Sequence, residues 1–115
     1  MKMVLTLLAV SALPAAAADI SGSWKLDGHI ENVSISRVCT LQQTDHKLAG
    51  KCTNATNEVV LAGDVDGNKV VWKYDVMYEG TKMTLTFNGT LDSANAMKGS
   101  IETMGAKGDF TATRQ

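Results

Sequence analysis

Six times in this chain a glycine stands midway between two apolar residues, each two positions away. The copies are Ile20, Gly22, Trp24; Leu48, Gly50, Cys52; Leu61, Gly63, Val65; Phe87, Gly89, Leu91; Met97, Gly99, Ile101; and Ala106, Gly108, Phe110. Strand side chains alternate between faces, so each copy puts its glycine in the middle of an apolar row on one face. That face is buried and repeatedly notched. An inward glycine in a strand marks a bend or a close approach of another group, and a sheet that bends once per strand closes on itself. The pattern predicts a small β-barrel.

Residues 1–18 read as a secretory signal peptide of bacterial type: Lys2 is the positive start, Val4 to Leu13 the apolar run, and Ala16-Ala17-Ala18 the small-residue cleavage site. The mature chain is expected to begin at Asp19, in the periplasm or outside the cell. The residue directly after the cleavage site is Asp19 rather than a cysteine, so a lipid anchor is not expected. Removing 18 of 115 residues leaves 97, enough for one domain with a modest core. Ten basic residues then stand against twelve acidic ones, scattered along the chain. This balance gives no electrostatic footprint for nucleic acid and no charged interaction tail. No second long apolar run supplies a transmembrane helix. An outer-membrane barrel would alternate inside out, but its strands of about 9–11 residues and longer outer loops need more chain than this.

Eight strand-like segments follow, at about 20–26, 31–43, 47–54, 58–65, 69–78, 81–91, 96–103 and 107–114, with no stretch of helical period. Turn signals separate them, among them Asp27-Gly28, Asp66-Gly67 and Glu79-Gly80. Connections this short force antiparallel neighbours. The expected fold is all-β, an eight-stranded antiparallel up-and-down barrel. A two-residue loop at Glu79-Gly80 sets Trp72 opposite Phe87, Tyr74 opposite Leu85 and Val76 opposite Met83, and a turn on Asp66 to Lys69 sets Gly63 opposite Trp72. Folding the second hairpin about Asp45-His46 brings Cys39 opposite Cys52 on the apolar face, in a non-hydrogen-bonded pair where side chains approach most closely. Two cysteines in an exported chain then form one disulfide.

A glycine and a tryptophan two apart on the first strand (Gly22, Trp24), an eight-strand meander and an arginine ending the last strand (Arg114) resemble the signature of the calycin barrels: lipocalins, fatty-acid-binding proteins and avidins. The resemblance implies that Arg114 packs across Trp24 where the barrel closes, and that the lumen is a ligand site. The chain also resembles bacterial periplasmic metalloprotease inhibitors, small eight-stranded barrels with one disulfide that enter the first strand through a similar small-Gly-x-Trp sequence. Their N-terminal trunk has no counterpart here, because Asp19 leads directly into the strand.

Alternation from Val33, Ile35, Cys39 and Leu41 points Arg37 inward, and the first hairpin is expected to place it opposite Gly22. There it either covers Trp24 in a cation–π contact, bonds backbone carbonyls, or binds a ligand carboxylate bidentately. Trp72, Tyr74, Tyr78 and Phe87 form an inward aromatic patch that offers stacking surfaces or simply fills the core. Tyr78, at a strand end, is expected near a mouth formed by loops carrying His29, Asn54 and Met104. His29 and His46 lie toward opposite ends, so neither they nor the cysteines suggest a metal. No nucleophile stands at a recognisable spacing from a base, no carboxylates pair on the inward face, and no phosphate-cradling loop precedes a helix. The expectation is a non-enzymatic exported barrel without cofactor, binding a small apolar or amphipathic ligand in lumen or mouth. Its rivals are a protein-binding module acting through loops, such as a hydrolase inhibitor, and a solid-cored structural barrel.

Overall fold

Eight strands follow one another around a closed barrel, and the last returns to pair with the first. The computed structural model describes residues 19–115; the expected signal peptide at 1–18 lies outside the described residues. The strands are β1 (Gly22–Ile30), β2 (Val33–Thr44), β3 (Lys47–Thr53), β4 (Glu58–Asp66), β5 (Lys69–Tyr78), β6 (Thr81–Ser93), β7 (Ala96–Thr103) and β8 (Ala106–Arg114). Every neighbouring pair is antiparallel.

The inward rows bury Trp24, Leu26, Leu61, Val70, Trp72, Phe87 and Ile101 almost completely. Each such side chain contributes roughly 1.5–3 kcal/mol relative to exposure. The glycine notches lie where the inner face turns onto its neighbour. A Cβ at Gly99 would overlap the carbonyl oxygen of Asn88, and one at Gly108 would overlap that of His29. These positions admit no side chain, which is what lets so short a chain close.

The expected registers hold for Gly63 with Trp72, Trp72 with Phe87, Tyr74 with Leu85 and Val76 with Met83. Cys39 faces Cys52, and a disulfide joins them with Cα atoms 3.9 Å apart.

The first hairpin differs from expectation. Asp27-Gly28 is not a turn; β1 continues to Ile30, and the chain reverses at Glu31 and Asn32, with Glu31 in the left-handed region at φ 52°. Leu26, Gly28 and Ile30 are in fact a seventh copy of the glycine pattern, with Gly28 facing Phe110 across the closure. Gly22 therefore faces Leu41, and Arg37 faces Leu26 rather than Gly22. The displacement is four residues along a strand, about 13 Å at 3.3 Å per residue. An even displacement leaves every side chain on its expected face and moves it only along the barrel axis. Arg37 still points inward, but away from Trp24.

The two ends of the barrel are built differently. At the end holding the termini, each turn is tied to the next hairpin by a backbone bond: Val65 N–H donates to His46 O, Leu91 N–H to Asn68 O and Arg114 N–H to Asn95 O, and Gln115 N–H donates to Ser23 O. Ile20 plugs this end, wholly buried, and the indole of Trp24 donates to its carbonyl at 2.9 Å. At the opposite end, among the described residues, the turns at Glu31-Asn32, Glu79-Gly80 and Met104-Gly105 and the loop Asn54–Asn57 make no such backbone bond to another hairpin.

Candidate functional site

The loosely tied end opens onto a cavity of about 360 Å³. Its apolar lining comes from Ile30, Ile35, Val76, Met83, Leu85 and Ala106, and its polar groups include Arg37, Tyr74, Tyr78, Asn54, Asn57 and Thr103. A cavity confined to a barrel lumen touches every second residue of a strand. This one is lined by five consecutive residues of β2, Val33 to Arg37, and by three consecutive residues of β5, Val76 to Tyr78. Backbone as well as inward side chains therefore borders it along β2 and β5.

The reason lies in the registers. Pairing of β2 with β3 begins only at Val38 with Thr53, and pairing of β4 with β5 stops at Ala62 with Lys73. The β3–β4 hairpin is too short to cover β2 up to its first turn, which leaves a notch beside Val33 to Arg37.

Arg37 stands at the inner end of that notch and is 8% exposed. Its guanidinium lies over the Tyr74 ring, 5.5 Å from the centroid, and its Nη1 makes one long contact of 3.5 Å with the carbonyl oxygen of Cys52. Among the described residues no carboxylate pairs with it: the ion pairs join Lys25 to Asp27, Lys47 to Asp64, Lys51 to Glu58 and Lys82 to Asp75, all on the outer face. Burial pushes the Tyr74 phenol above its ordinary value, and the Arg37 guanidinium pulls it partly back. Tyr74 is thus a neutral phenol at neutral pH. The Thr103 hydroxyl, also buried on this wall, has no hydrogen-bond partner among the described residues. Buried polar groups in folded proteins are nearly always bonded, and the Trp72 indole N–H is likewise without a partner among the described residues.

Below the cavity the barrel is solid. Trp72 stacks on Phe87 at 5.0 Å, Phe110 meets both rings edge-on at 5.3 Å, and Tyr74 leans on Phe87 at 5.1 Å. Of the residues expected to contact a ligand, Arg37, Tyr74 and Tyr78 line the cavity, whereas Trp72 and Phe87 form the packed floor beneath it and do not. Of the residues expected at the mouth, Asn54 lines the cavity. His29 instead lies within β1 as an exposed residue, and Met104 projects from its turn 74% exposed, so neither lines it. Thr103 was open to inference from the sequence, since it continues the inward row Met97, Gly99, Ile101. Among the described residues no group of three or more His, Cys, Asp or Glu could hold a metal ion.

The arginine over Trp24 is Arg114, with its guanidinium 4.7 Å from the ring centroid. It also donates to the carbonyls of Ser21 at 2.8 Å, Asp19 at 3.1 Å and Ala94 at 3.1 Å. Gly22 makes room for this, because a Cβ there would lie 2.9 Å from Arg114 Nη1 and its φ of 132° suits glycine. Gly22, Trp24 and Arg114 thus meet at the closed end, and Arg37 covers Tyr74 instead of Trp24.

The barrel is similar to designed proteins. A redesigned β-barrel, b11L5F_LGL, matches with a TM-score of 0.62 at 19% identity, over 84% of this chain and 91% of that one. The redesigned barrels mFAP1 and mFAP0, each bound to DFHBI, match with TM-scores of 0.58 and 0.57 at 16% identity, over 83% of this chain and 94% and 98% of theirs. No protein-family model and no curated protein matches the chain. At such identities the likeness is one of fold: the chain is a small closed eight-stranded antiparallel β-barrel, and the calycin resemblance stays at the level of architecture.

Proposed function

We propose that this protein is an exported, non-enzymatic barrel that binds a small amphipathic molecule at its mouth. The apolar body lies against Ile35, Val76, Met83 and Leu85, and a negatively charged end group meets Arg37. One observation carries this: a buried guanidinium faces an apolar cavity with no carboxylate beside it among the described residues. A buried charge with no carboxylate beside it costs several kcal/mol, which one contact with the Tyr74 ring and one long bond to a carbonyl offset only in part. A ligand carboxylate would complete it with two parallel N–H···O bonds, and Tyr74 lines the same cavity to orient it. The cavity size suits one small ligand. Two barrels of similar fold hold a small molecule, DFHBI, which supports the reading by analogy of fold.

Calorimetric titration of the mature chain with dodecanoate and with dodecanol, which share an apolar tail, tests this. The carboxylate is expected to bind at least about tenfold more tightly, a difference of about 1.4 kcal/mol. Arg37→Gln should remove the difference with little change in the thermal midpoint, since the lost contacts with Tyr74 and the Cys52 carbonyl are offset by relief of a buried charge that no carboxylate pairs. Equal affinity for the two amphiphiles, or binding of neither, refutes the proposal.

A further inference from the structure

The notch beside β2 exposes backbone as well as side chains. Cys39 and Cys52 form a narrow pair, with Cα atoms 3.9 Å apart, so their neighbours Val38 and Thr40 are the residues that exchange backbone bonds with β3. Carrying the alternation toward the mouth, the N–H and C=O of Ser36 and Ser34 point to the same side. There β3 is absent, and among the described residues no backbone group takes its place. Natural sheet edges are normally protected by charge, proline or a bulge. The stretch Val33-Ser34-Ile35-Ser36 carries none of these, and its outward side chains are two small serines. The other edges left free at this end each carry a charged side chain: Glu58 on β4, which pairs with Lys51; Asp75 on β5, which accepts from Thr84 Oγ1; and Lys82 on β6, which pairs with Asp75.

We infer that the occupant of the mouth cavity is an extended peptide segment with a free C-terminal carboxylate, which adds to the edge of β2 through the backbone of Ser34 and Ser36 and places its carboxylate on Arg37. This rests on the ligand-binding reading of the same cavity and names the class of ligand. Five residues of β2, Val33 to Arg37, are free on this side, room for a segment of about 17 Å. The segment enters from the mouth and is stopped where β3 takes up pairing at Val38. A guanidinium at that inner end attracts a carboxylate and repels an amino terminus, so the peptide runs parallel to β2. Strand addition of this kind takes affinity from main-chain bonds and specificity from alternate side chains, which here enter the apolar lining.

The test uses the mature chain and the peptide acetyl-Val-Thr-Val-Thr-Leu in three forms: free acid, C-terminal amide, and free acid N-methylated on the backbone nitrogens that would face β2. Dodecanoate is the control. In the free protein the amides of Ser34 and Ser36 should exchange with solvent fast, while those of Val33 and Ile35, bonded to β1, exchange slowly. The free acid should slow exchange at Ser34 and Ser36 by at least about tenfold, and amidation or N-methylation should weaken binding by at least about tenfold. Ser36→Pro removes an N–H that has no partner in the free fold, and with it a hydroxyl that accepts from Lys25 Nζ on the outer face, a loss that Ser36→Ala reproduces alone; the proline variant should abolish peptide binding while dodecanoate still binds, and the alanine variant should bind both. Dodecanoate binding without peptide binding overturns the peptide inference and leaves the small-ligand proposal standing; binding of neither overturns both. Peptide binding that leaves Ser34 and Ser36 fast, or that tolerates N-methylation, rules out strand addition. Protection that rises with protein concentration alone assigns the edge to a second copy of this chain and equally overturns the inference.

Discussion

Replacing Arg114 tests whether the closed end is sealed by one side chain. Its guanidinium bonds three carbonyls, two on the segment before β1 and one in the turn between β6 and β7, and lies over the Trp24 ring. Charged hydrogen bonds are worth about 1.5–3 kcal/mol when buried, but Arg114 is only half-buried, so about 1 kcal/mol each is the appropriate scale. The cation–π contact adds about 1 kcal/mol, and ordering the side chain costs about 1.5 kcal/mol. Arg114→Ala should therefore lose about 2.5 kcal/mol, which lowers the melting midpoint of a domain this size by roughly 10–20 °C. Arg114→Lys keeps a charge above the ring, but an ammonium cannot span three carbonyls, so it should recover less than half of the loss. Thermal unfolding followed by circular dichroism measures both. Trp24 emission, read in a Trp72→Phe background, should shift to the red in the alanine variant as water reaches the indole. A lysine variant as stable as the parent, or an alanine variant within about 0.5 kcal/mol of it, refutes the account of the seal.

Gly99→Ala, whose Cβ would overlap the Asn88 carbonyl, should cost about 3 kcal/mol or more in urea unfolding; Gly89→Ala, whose Cβ would meet the Phe110 ring edge at 3.0 Å, should cost about 1 kcal/mol, and similar losses would argue against the notch as the closing device. Replacing both cysteines with serine opens a loop of sequence separation 13 and should remove about 3 kcal/mol, seen as a lower urea midpoint. Tyr74 has a raised folded-state pKa, so the folded protein holds its proton after the unfolded chain has lost it. Its contribution is fully present below the ordinary phenol value near 10 and is lost as pH rises through the folded value. In a Tyr78→Phe background, tyrosinate absorbance should appear at higher pH in Arg37→Gln than in the parent, because the guanidinium that favours the phenolate is gone; a lower onset would contradict the contact.

Faces were legible in the sequence and heights were not, for a physical reason. Alternation has period two, so the apolar rows settle that Arg37, Tyr74 and Thr103 point inward wherever the turns fall. Position along the axis depends on where each hairpin reverses. The turn at Glu79-Gly80 was readable because glycine supplies positive φ there, at 82°. The first turn uses Glu31 and Asn32, without glycine, while Gly28 nearby belongs to a notch and mimics a turn. One such error moves Arg37 from the seal to the mouth and changes its chemistry from stacking on Trp24 to facing an open cavity. Whether Trp72 floors a cavity or lines it depends on where pairing of β2 with β3 and β4 with β5 begins and ends, a sum over several turns that no single stretch of sequence contains.

The asymmetry between the ends separates the contacts that close the barrel from the cavity at its mouth. The closed end combines the Ile20 plug, the Trp24–Arg114 contact and a set of backbone bonds from each hairpin to the next. The mouth lacks those bonds, and it holds three of the four non-glycine residues at positive φ, in each case among the described residues: Glu31, Glu79 and Met104 sit in its turns. Such residues hold a conformation that costs about 1–2 kcal/mol and gain little from burial, since all three are exposed. Local opening should therefore be cheapest at the mouth and dearest around Trp24. A barrel arranged this way can let its β5–β6 tip and β2 edge move to admit a ligand while the aromatic floor stays fixed, because the bonds that hold the floor are not those that must yield. If the mouth binds a ligand as proposed, substitutions at Glu31, Glu79 or Met104 should act on the rate and affinity of that binding, whereas substitutions at Gly22, Trp24 or Arg114 should act on the stability of the barrel.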